Sequence, residues 1–354
     1  IFELDKIPES AAVNESVALA KKYCPKQKNA SGLVNAVLRN AVRTKGTLKE
    51  PASLEDRYSH PANLIALLRS YVGEDRLEKM LAANNAAPDT VIQVNTLKIT
   101  TAELTARLEE EKVSVRPHGW LADCLILSNT GSLEHLPSFK EGLFYVQDAA
   151  AKLSVLCAQL PKNADWNVLD CCSAPGGKTF AAAIAMGGRG EITSCDVHEH
   201  KVSLIQNGAA RLGLTNVTAM QQDASACVDA WVDSMDAVIA DVPCSGYGII
   251  RKKPDIREKD PDTMKDLPAL QLSILRNQSK YVKKGGTLLY STCTLVRREN
   301  EGVVEKFLKA EPDFYLEPLP LPEPFPVNDS GMLALVPGEY DTDGFFIARL
   351  RRKA

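Results

Sequence analysis

Apolar residues over roughly the first 85 positions recur at the three-to-four spacing of amphipathic helices. Ala11 to Lys22 (Val13, Val17, Leu19, Ala20), Ser31 to Arg43 (Leu33, Val34, Val37, Leu38), Asn63 to Val72 and Asp75 to Asn84 each read as a helix. At Ala86-Ala87-Pro88-Asp89 the period changes. Thr90 to Asn95, Val113 to Arg116, Cys124 to Leu127 and Leu143 to Val146 are short strand-like runs, with a helix predicted over Thr101 to Glu111. Turn residues at Leu136-Pro137-Ser138 and Gly142 punctuate them. From Gln147 onward, strand patterns alternate with helical ones, which predicts a parallel sheet with helices on both faces. Strands are expected at Val168–Cys171, Glu191–Cys195, Val217–Gln221, Ala237–Ala240, Thr287–Tyr290 and Phe345–Leu350. Helices are expected at Thr179–Met186, His200–Leu212, Pro268–Val282 and Asn300–Lys309. The proline-rich stretch Leu316 to Pro326 is expected to be an extended loop. Three domains follow: helical 1–85, a small α+β module 86–146, and an α/β domain 147–354.

Length agrees, since 354 residues predict two or three domains. No 18-residue apolar run exists, so no transmembrane helix is expected. The start, Ile1-Phe2-Glu3-Leu4-Asp5-Lys6, lacks the shape of a signal peptide and lacks Met, so trimming at that end is expected. Nine cysteines without an export signal predict free thiols in a reducing, cytoplasmic compartment. With no C-x-x-C pair and few histidines, no metal site is expected. The net charge of -3 gives no global basic signature, so any nucleic-acid contact must come from local patches. Arg39, Arg43, Lys45 and Lys49 form one such side, readable as a solvated helix face or as a phosphate-contacting surface.

The chemistry gathers around Val168-Leu169-Asp170-Cys171-Cys172-Ser173-Ala174-Pro175-Gly176-Gly177-Lys178-Thr179, a strand, a glycine turn and a helix start. A ligand at that strand end would meet free helix N–H groups, although the same letters also spell a plain strand-to-helix turn. Asp196 ends the second strand at the place where an acid holds a ribose diol in nucleotide folds. The loop is Ala-Pro-Gly-Gly rather than G-x-G-x-x-G, which favours a nucleoside cofactor without a diphosphate. Asp170, Asp196, Asp223 and Asp241 thus stand at the ends of successive strands. Cys244, in Asp241-Val242-Pro243-Cys244-Ser245-Gly246, and Cys293, in Tyr290-Ser291-Thr292-Cys293-Thr294, follow neighbouring strands. Buried inert cysteine is the commonest fate of the residue, but two loop thiols at a ligand edge are nucleophile candidates. Arg251, Lys252, Lys253 and Arg257 crowd the loop after Cys244, either as solvent-facing charges or as phosphate contacts.

Asp-x-Cys-x-Ala-Pro-Gly-Gly-Lys-Thr, Asp-x-Pro-Cys-Ser-Gly with a following Arg-x-x-Pro-Asp, and Tyr-Ser-Thr-Cys-Thr with Glu299-Asn300 resemble the RNA cytosine-C5 methyltransferase family. The likeness covers residues 147 to 354, ending in Asp343-Gly344-Phe345-Phe346. The 86–146 module resembles the region before the catalytic core in that family. Asn14-Glu15-Ser16-Val17 and Val34-Asn35-Ala36-Val37-Leu38-Arg39 are similar to the NusB-like domain of bacterial members acting on small-subunit ribosomal RNA, a domain expected to be truncated here at its start. The resemblance implies an α/β Rossmann-like class I methyltransferase domain preceded by the α+β module and an all-helical NusB-like domain. It implies S-adenosylmethionine as cofactor, wrapped by Cys172, Ser173, Ala174, Pro175, Gly176, Gly177 and Lys178, with Asp196 at its ribose, Asp223 at its adenine and Asp241 bordering it. It implies Cys293 as the nucleophile on C6 of cytosine, Cys244 assisting product release, and Asp241 at the edge of the base. Arg251, Lys252 and Lys253 would then contact RNA, and an unstacked cytosine of 16S ribosomal RNA would be the target of a monomeric enzyme. A transfer-RNA cytosine-C5 methyltransferase and a non-catalytic RNA-binding assembly factor are the competing readings. Cys171 and Tyr247 depart from the apolar and small residues usual in the family at those positions.

Overall fold

The computed structural model describes residues 7–47 and 51–354. Lys49 and the stretch Ile1 to Lys6 lie outside the described residues. The chain divides into two compact units, residues 1–57 and 58–354.

In the first unit, α1 (Glu9–Tyr23) and α2 (Ala30–Thr44) pair as a hairpin, and α3 (Leu54–Tyr58) is a single short turn at its end. Val13 is the buried side chain of α1. Leu19, Leu33 and Val37, which the periodicity places on apolar faces, stay exposed, because two helices bury only their inward sides.

The second unit opens with α4 (Ala62–Val72) and α5 (Glu74–Asn85), which the sequence reading groups with the helical start. Leu64, Leu68, Leu77 and Leu81 are buried in this pair. Arg76 grips Glu339 with two hydrogen bonds of 2.6 and 2.8 Å, and Arg257 donates to the Ser59 carbonyl and to Asn85 Oδ1. A half-exposed ion pair contributes at most about 1 kcal/mol, so the leucines do most of the holding.

The small module follows with β1 (Thr90–Val94), α6 (Thr101–Glu110), β2 (Ser114–Pro117), β3 (Cys124–Ser128), α7 (Pro137–Lys140) and β4 (Phe144–Val146). Its strands form an antiparallel sheet in the order β2-β3-β1-β4. Thr100 rather than Thr101 caps α6, in a reciprocal capping box with Glu103. Ile92, Val94, Leu104, Leu108 and Phe144 fill the space between helix and sheet.

The remaining elements are α8 (Ala149–Cys157), β5 (Asn167–Asp170), α9 (Gly177–Ala185), β6 (Glu191–Asp196), α10 (Glu199–Leu212), β7 (Val217–Gln221), β8 (Met235–Asp241), α11 (Leu267–Ser279), β9 (Val282–Thr292), α12 (Glu301–Ala310), β10 (Phe314–Leu316), β11 (Met332–Leu335) and β12 (Phe345–Arg352). The sheet runs β10-β12-β9-β8-β5-β6-β7, with β11 also on β12. β9, β8, β5, β6 and β7 are mutually parallel. β12 is antiparallel to β9, so the sheet is mixed at one end rather than parallel throughout. Two apolar cores, around Phe180 and Ile239 and around Tyr290 and Phe307, contribute to the packing of the domain. The chain crosses from the β5-β6-β7 side to the β8-β9 side next to β5, and folds of this kind bind ligands outside the strand ends at that switch point. Among the described residues no helix is long and apolar enough to cross a membrane.

Candidate active site

β8, β5, β6 and β7 are neighbours in that order, so Asp241, Asp170, Asp196 and Asp223 line one edge of the sheet in a row. Their environments differ. Asp170 is 0% exposed. Its Oδ2 accepts from Thr179 Oγ1 at 2.7 Å, and Thr179 shares a second bond with Ser194. Burial pushes this carboxyl up to about 7, although Thr179 and Lys178 pull it back. Asp170 therefore braces the first turn of α9 against β5 and β6 from beneath. Asp196 Oδ1 accepts from the His198 N–H at 3.0 Å, and its Oδ2 takes no protein hydrogen bond among the described residues. Asp223 lies exposed two residues beyond β7, its carboxyl held below the usual range by bonds from the Ser225 hydroxyl and N–H.

The turn between β5 and α9 depends on Gly176, whose φ of 112° suits glycine. A Cβ there would run into the ring of Phe180. Ser173 turns inward, its hydroxyl and N–H both donating to the Cys195 carbonyl at 2.8 Å, which ties the loop to β6.

Cys293 follows β9 directly and Cys244 stands three residues beyond β8. The parallel pairing of these strands brings the two sulfurs to 3.3 Å, too long for a disulfide, and both are free. Several bonds fix the two loops to each other. Gly248 N–H donates to the Cys293 carbonyl at 2.9 Å, Gly344 N–H to the Gly248 carbonyl at 2.8 Å, and the Ser245 and Thr294 hydroxyls meet at 2.7 Å. Glu299, fully buried, accepts from the Ser245 N–H at 2.9 Å and from Gln271 Nε2 at 3.0 Å. Asn300 accepts from Thr292 Oγ1 and donates to the Thr294 carbonyl. The hydrogen bond with Cys293, followed by burial, pushes the Cys244 thiol well above its ordinary value. Beside Cys244 opens a cleft of about 360 Å³, walled by Thr263, Met264, Leu267 and Leu270.

Asp241 joins the thiols to the acid row. Its Oδ1 accepts from Ser291 Oγ at 2.7 Å and its Oδ2 from Lys178 Nζ at 2.6 Å. Burial works against the Lys178 charge, but the Asp241 carboxylate more than offsets it, and the ammonium is held charged. A carboxylate has about four acceptor positions, so Asp241 keeps room for a ligand. Of the residues singled out from sequence, the structure brings Cys244, Cys293, Asp241 and Lys178 together and places Asp196 and Asp223 further along the same edge.

The basic run is largely engaged within the chain. Arg251 is 10% exposed at its side chain and donates to Asp343 Oδ1 at 2.9 Å. Lys252 Nζ donates to Asp343 Oδ2 at 2.6 Å and to Asp148 Oδ2 at 2.9 Å. Arg251 and Lys252 are paired with two buried carboxylates, while Lys252 and Lys253 are the exposed members of the three. Asp148 had no place in the sequence reading. Its one legible signal was the Asp-Ala-Ala-Ala start of a helix, where it accepts from Ala150 N–H as an N-cap. Glu299, Asn300 and Asp343 were visible only as parts of motifs, without a role. Tyr247 is completely enclosed.

A mixed sheet with a glycine turn at its switch point, and a polar row running from that turn to a pair of free thiols, is the architecture of a methyltransferase with a Rossmann-like domain. Residues 157–351 match the family described as 16S rRNA methyltransferase RsmB/F, residues 60–134 its ferredoxin-like domain, and residues 1–43 the NusB family. The chain is 37% identical to the probable ribosomal RNA small subunit methyltransferase B of Bacillus subtilis, over 99% of this chain and 80% of that protein. It is 36% identical to the protein of the same name from Synechocystis, at the same coverage. The crystal structure of PH0851 superposes with a TM-score of 0.83 at 27% identity, covering 99% of this chain and 79% of the other. The chain belongs to the RsmB/F family of 16S rRNA methyltransferases.

Proposed function

We propose that this chain transfers a methyl group from S-adenosylmethionine to C5 of a cytosine in 16S ribosomal RNA, through a covalent bond between Cys293 and C6 of the base, with residues 147–354 as the catalytic domain. The observation that carries the reading is the pair of free thiols 3.3 Å apart beside Asp241. The names of the curated relatives support a small-subunit ribosomal RNA over a transfer RNA.

The residues fit the cofactor. Gly176 and Gly177 let the turn pack closely against the Phe180 ring and Gln147, and the N–H groups at the start of α9 are there to meet a ligand. Asp196 offers a free carboxylate oxygen at the depth of a ribose, and Asp223 lies one strand further out. When bound, the cofactor supplies an electrophilic methyl group.

Cytosine C5 is a poor nucleophile unaided. The Cys293 thiolate adds to C6, breaking the C5–C6 double bond and leaving C5 enamine-like. Asp241 accepts a hydrogen bond from the amino group of the base, solvent supplies a proton to N3 as the thiolate adds, the N–H so formed donates to the same carboxylate, and Lys178 and Ser291 hold that carboxylate in place. Once C5 is methylated, its proton leaves, the double bond re-forms and the Cys293–C6 bond breaks. Cys244 assists that release, its thiol pushed well above its ordinary value by the hydrogen bond with Cys293 and by burial. The base must leave its stack to reach the thiols, and the apolar cleft beside Cys244 gives it a wall.

The test separates the thiols. Cys293→Ala should abolish methyl transfer while keeping cofactor affinity. Cys244→Ala should accumulate a covalent protein–RNA complex, seen as a slow band in a denaturing gel, and the double variant should not. A trapped complex in Cys293→Ala alone would exchange the roles, and full turnover in both single variants would refute the covalent route.

A further inference from the structure

A second cavity, of about 660 Å³, lies away from the thiols between the small α+β module and the α/β domain. Such a volume suits a small ligand or one nucleotide. Leu97, Trp120 and Asp123 line it from the module, and Lys152, Lys162 and Leu321 from the other side. Lys152 is 7% exposed, yet among the described residues its ammonium makes no hydrogen bond or ion pair. Its stem is buried while its ammonium reaches the cavity, a space large enough to admit an anionic partner. Burial lowers its pKa, with Asp123 and Cys124 drawing it partly back. Asp123 does not neutralise it, and its Oδ1 accepts instead from Thr101 Oγ1 at 2.5 Å. Lys162, exposed at the rim, adds a second cation. Trp120 is a fixed flat wall, edge-on to His118 and Phe325 at 4.8 and 4.9 Å, with Nε1 donating to the Tyr340 carbonyl.

The cavity is mechanically joined to the active site. Lys152 stands one helical turn beyond Asp148 on α8, and Asp148 binds Lys252 in the loop after Cys244. Tyr340 lies three residues before Asp343, the other acid of that network.

We propose that this cavity is a second RNA site, taking a phosphate of the RNA substrate on Lys152 and Lys162 with the attached nucleoside against Trp120. The proposal rests on the RNA-methylating reading above. The experiment uses the full chain with Lys152→Met, Lys152→Arg and Lys162→Ala, methyl transfer to unmodified 16S RNA over a salt series, equilibrium RNA binding, and calorimetry with cytidine 5′-monophosphate. Lys152→Met should raise KM for RNA roughly tenfold and reduce the salt slope by about 1, with kcat and cofactor affinity unchanged. Lys152→Arg should recover most of the loss, and Lys162→Ala, at an exposed position that cannot harm folding, should show a smaller loss of the same kind. Unchanged KM and salt slope in both Lys152→Met and Lys162→Ala would overturn the proposal. So would cytidine monophosphate binding that Lys152→Met abolishes while RNA affinity stays intact, which would make the occupant a free nucleotide. A wild-type chain that binds RNA but methylates none would defeat the catalytic reading alone, since the binding slope still reports on the cavity.

Discussion

Replacing Asp170 with Asn isolates a titrating acid buried under the turn between β5 and α9. Asp170 is 0% exposed, one oxygen is held by the Thr179 hydroxyl, and the other takes no side-chain hydrogen bond among the described residues. Burial raises its pKa to about 7, against a value near 4 for an unfolded aspartate. The sign follows from proton counting. Below pH 4 or so both states hold the proton and stability is complete. Between about pH 4 and 7 the unfolded chain releases the proton while the folded chain keeps it, so stability falls as pH rises, and above the folded pKa the loss is complete. Three units correspond to about 4 kcal/mol, of which about 3 kcal/mol is lost between pH 5 and 8. Asn keeps an oxygen for the Thr179 hydroxyl and does not titrate. Burial also raises Glu301 and Asp343, but they remain in both proteins and cancel in the comparison. On moving from pH 5 to pH 8, the wild-type melting temperature should drop relative to Asp170→Asn by roughly 6–12 °C for a domain of this size. Scanning calorimetry at the two pH values reads it. Melting curves of the two proteins that shift in parallel would refute the argument, because Asp170 would then titrate alike folded and unfolded.

Gly248→Ala should cripple methyl transfer at least tenfold while sparing cofactor affinity. The added Cβ would fall on the Gly344 carbonyl and 2.8 Å from that of Cys293, so the loops holding the two thiols must part; radiolabelled methyl transfer beside calorimetry decides, and undiminished transfer would show that the close approach is dispensable. Changing Arg251, Lys252 and Lys253 together to Ala should cost about 3–5 kcal/mol of stability by leaving Asp148 and Asp343 as unpaired buried acids, whereas Lys253→Ala alone should leave the melting temperature unmoved. Equal melting temperatures for the two variants would dissolve the network argument.

How far the letters reach depends on whether a feature belongs to one segment or to a pairing of segments. The strands from Val168 to Tyr290 declare themselves by apolar runs and turn residues, and the observed elements differ mostly at their ends. The antiparallel course of β12 was not legible, because alternation of side chains reads the same in either direction. That α4 and α5 belong with residues 58–354 was equally hidden, since Arg76 finds Glu339 at a separation of 263 residues. The juxtaposition of the thiols was legible for a topological reason: both follow neighbouring parallel strands, and parallel neighbours end at the same edge. The ion pairs of the basic run were hidden for the opposite reason. Arg251 and Lys252 look like free cations in a loop, and their carboxylates come from positions separated by 91 to 104 residues, with nothing local to announce them. Lys152 reverses the case once more. In sequence it is an ordinary lysine within an apolar helix, easily read as a solvated charge. What marks it is a buried stem that delivers an ammonium, unpaired among the described residues, to a cavity wall, and that is a property of the packed chain alone.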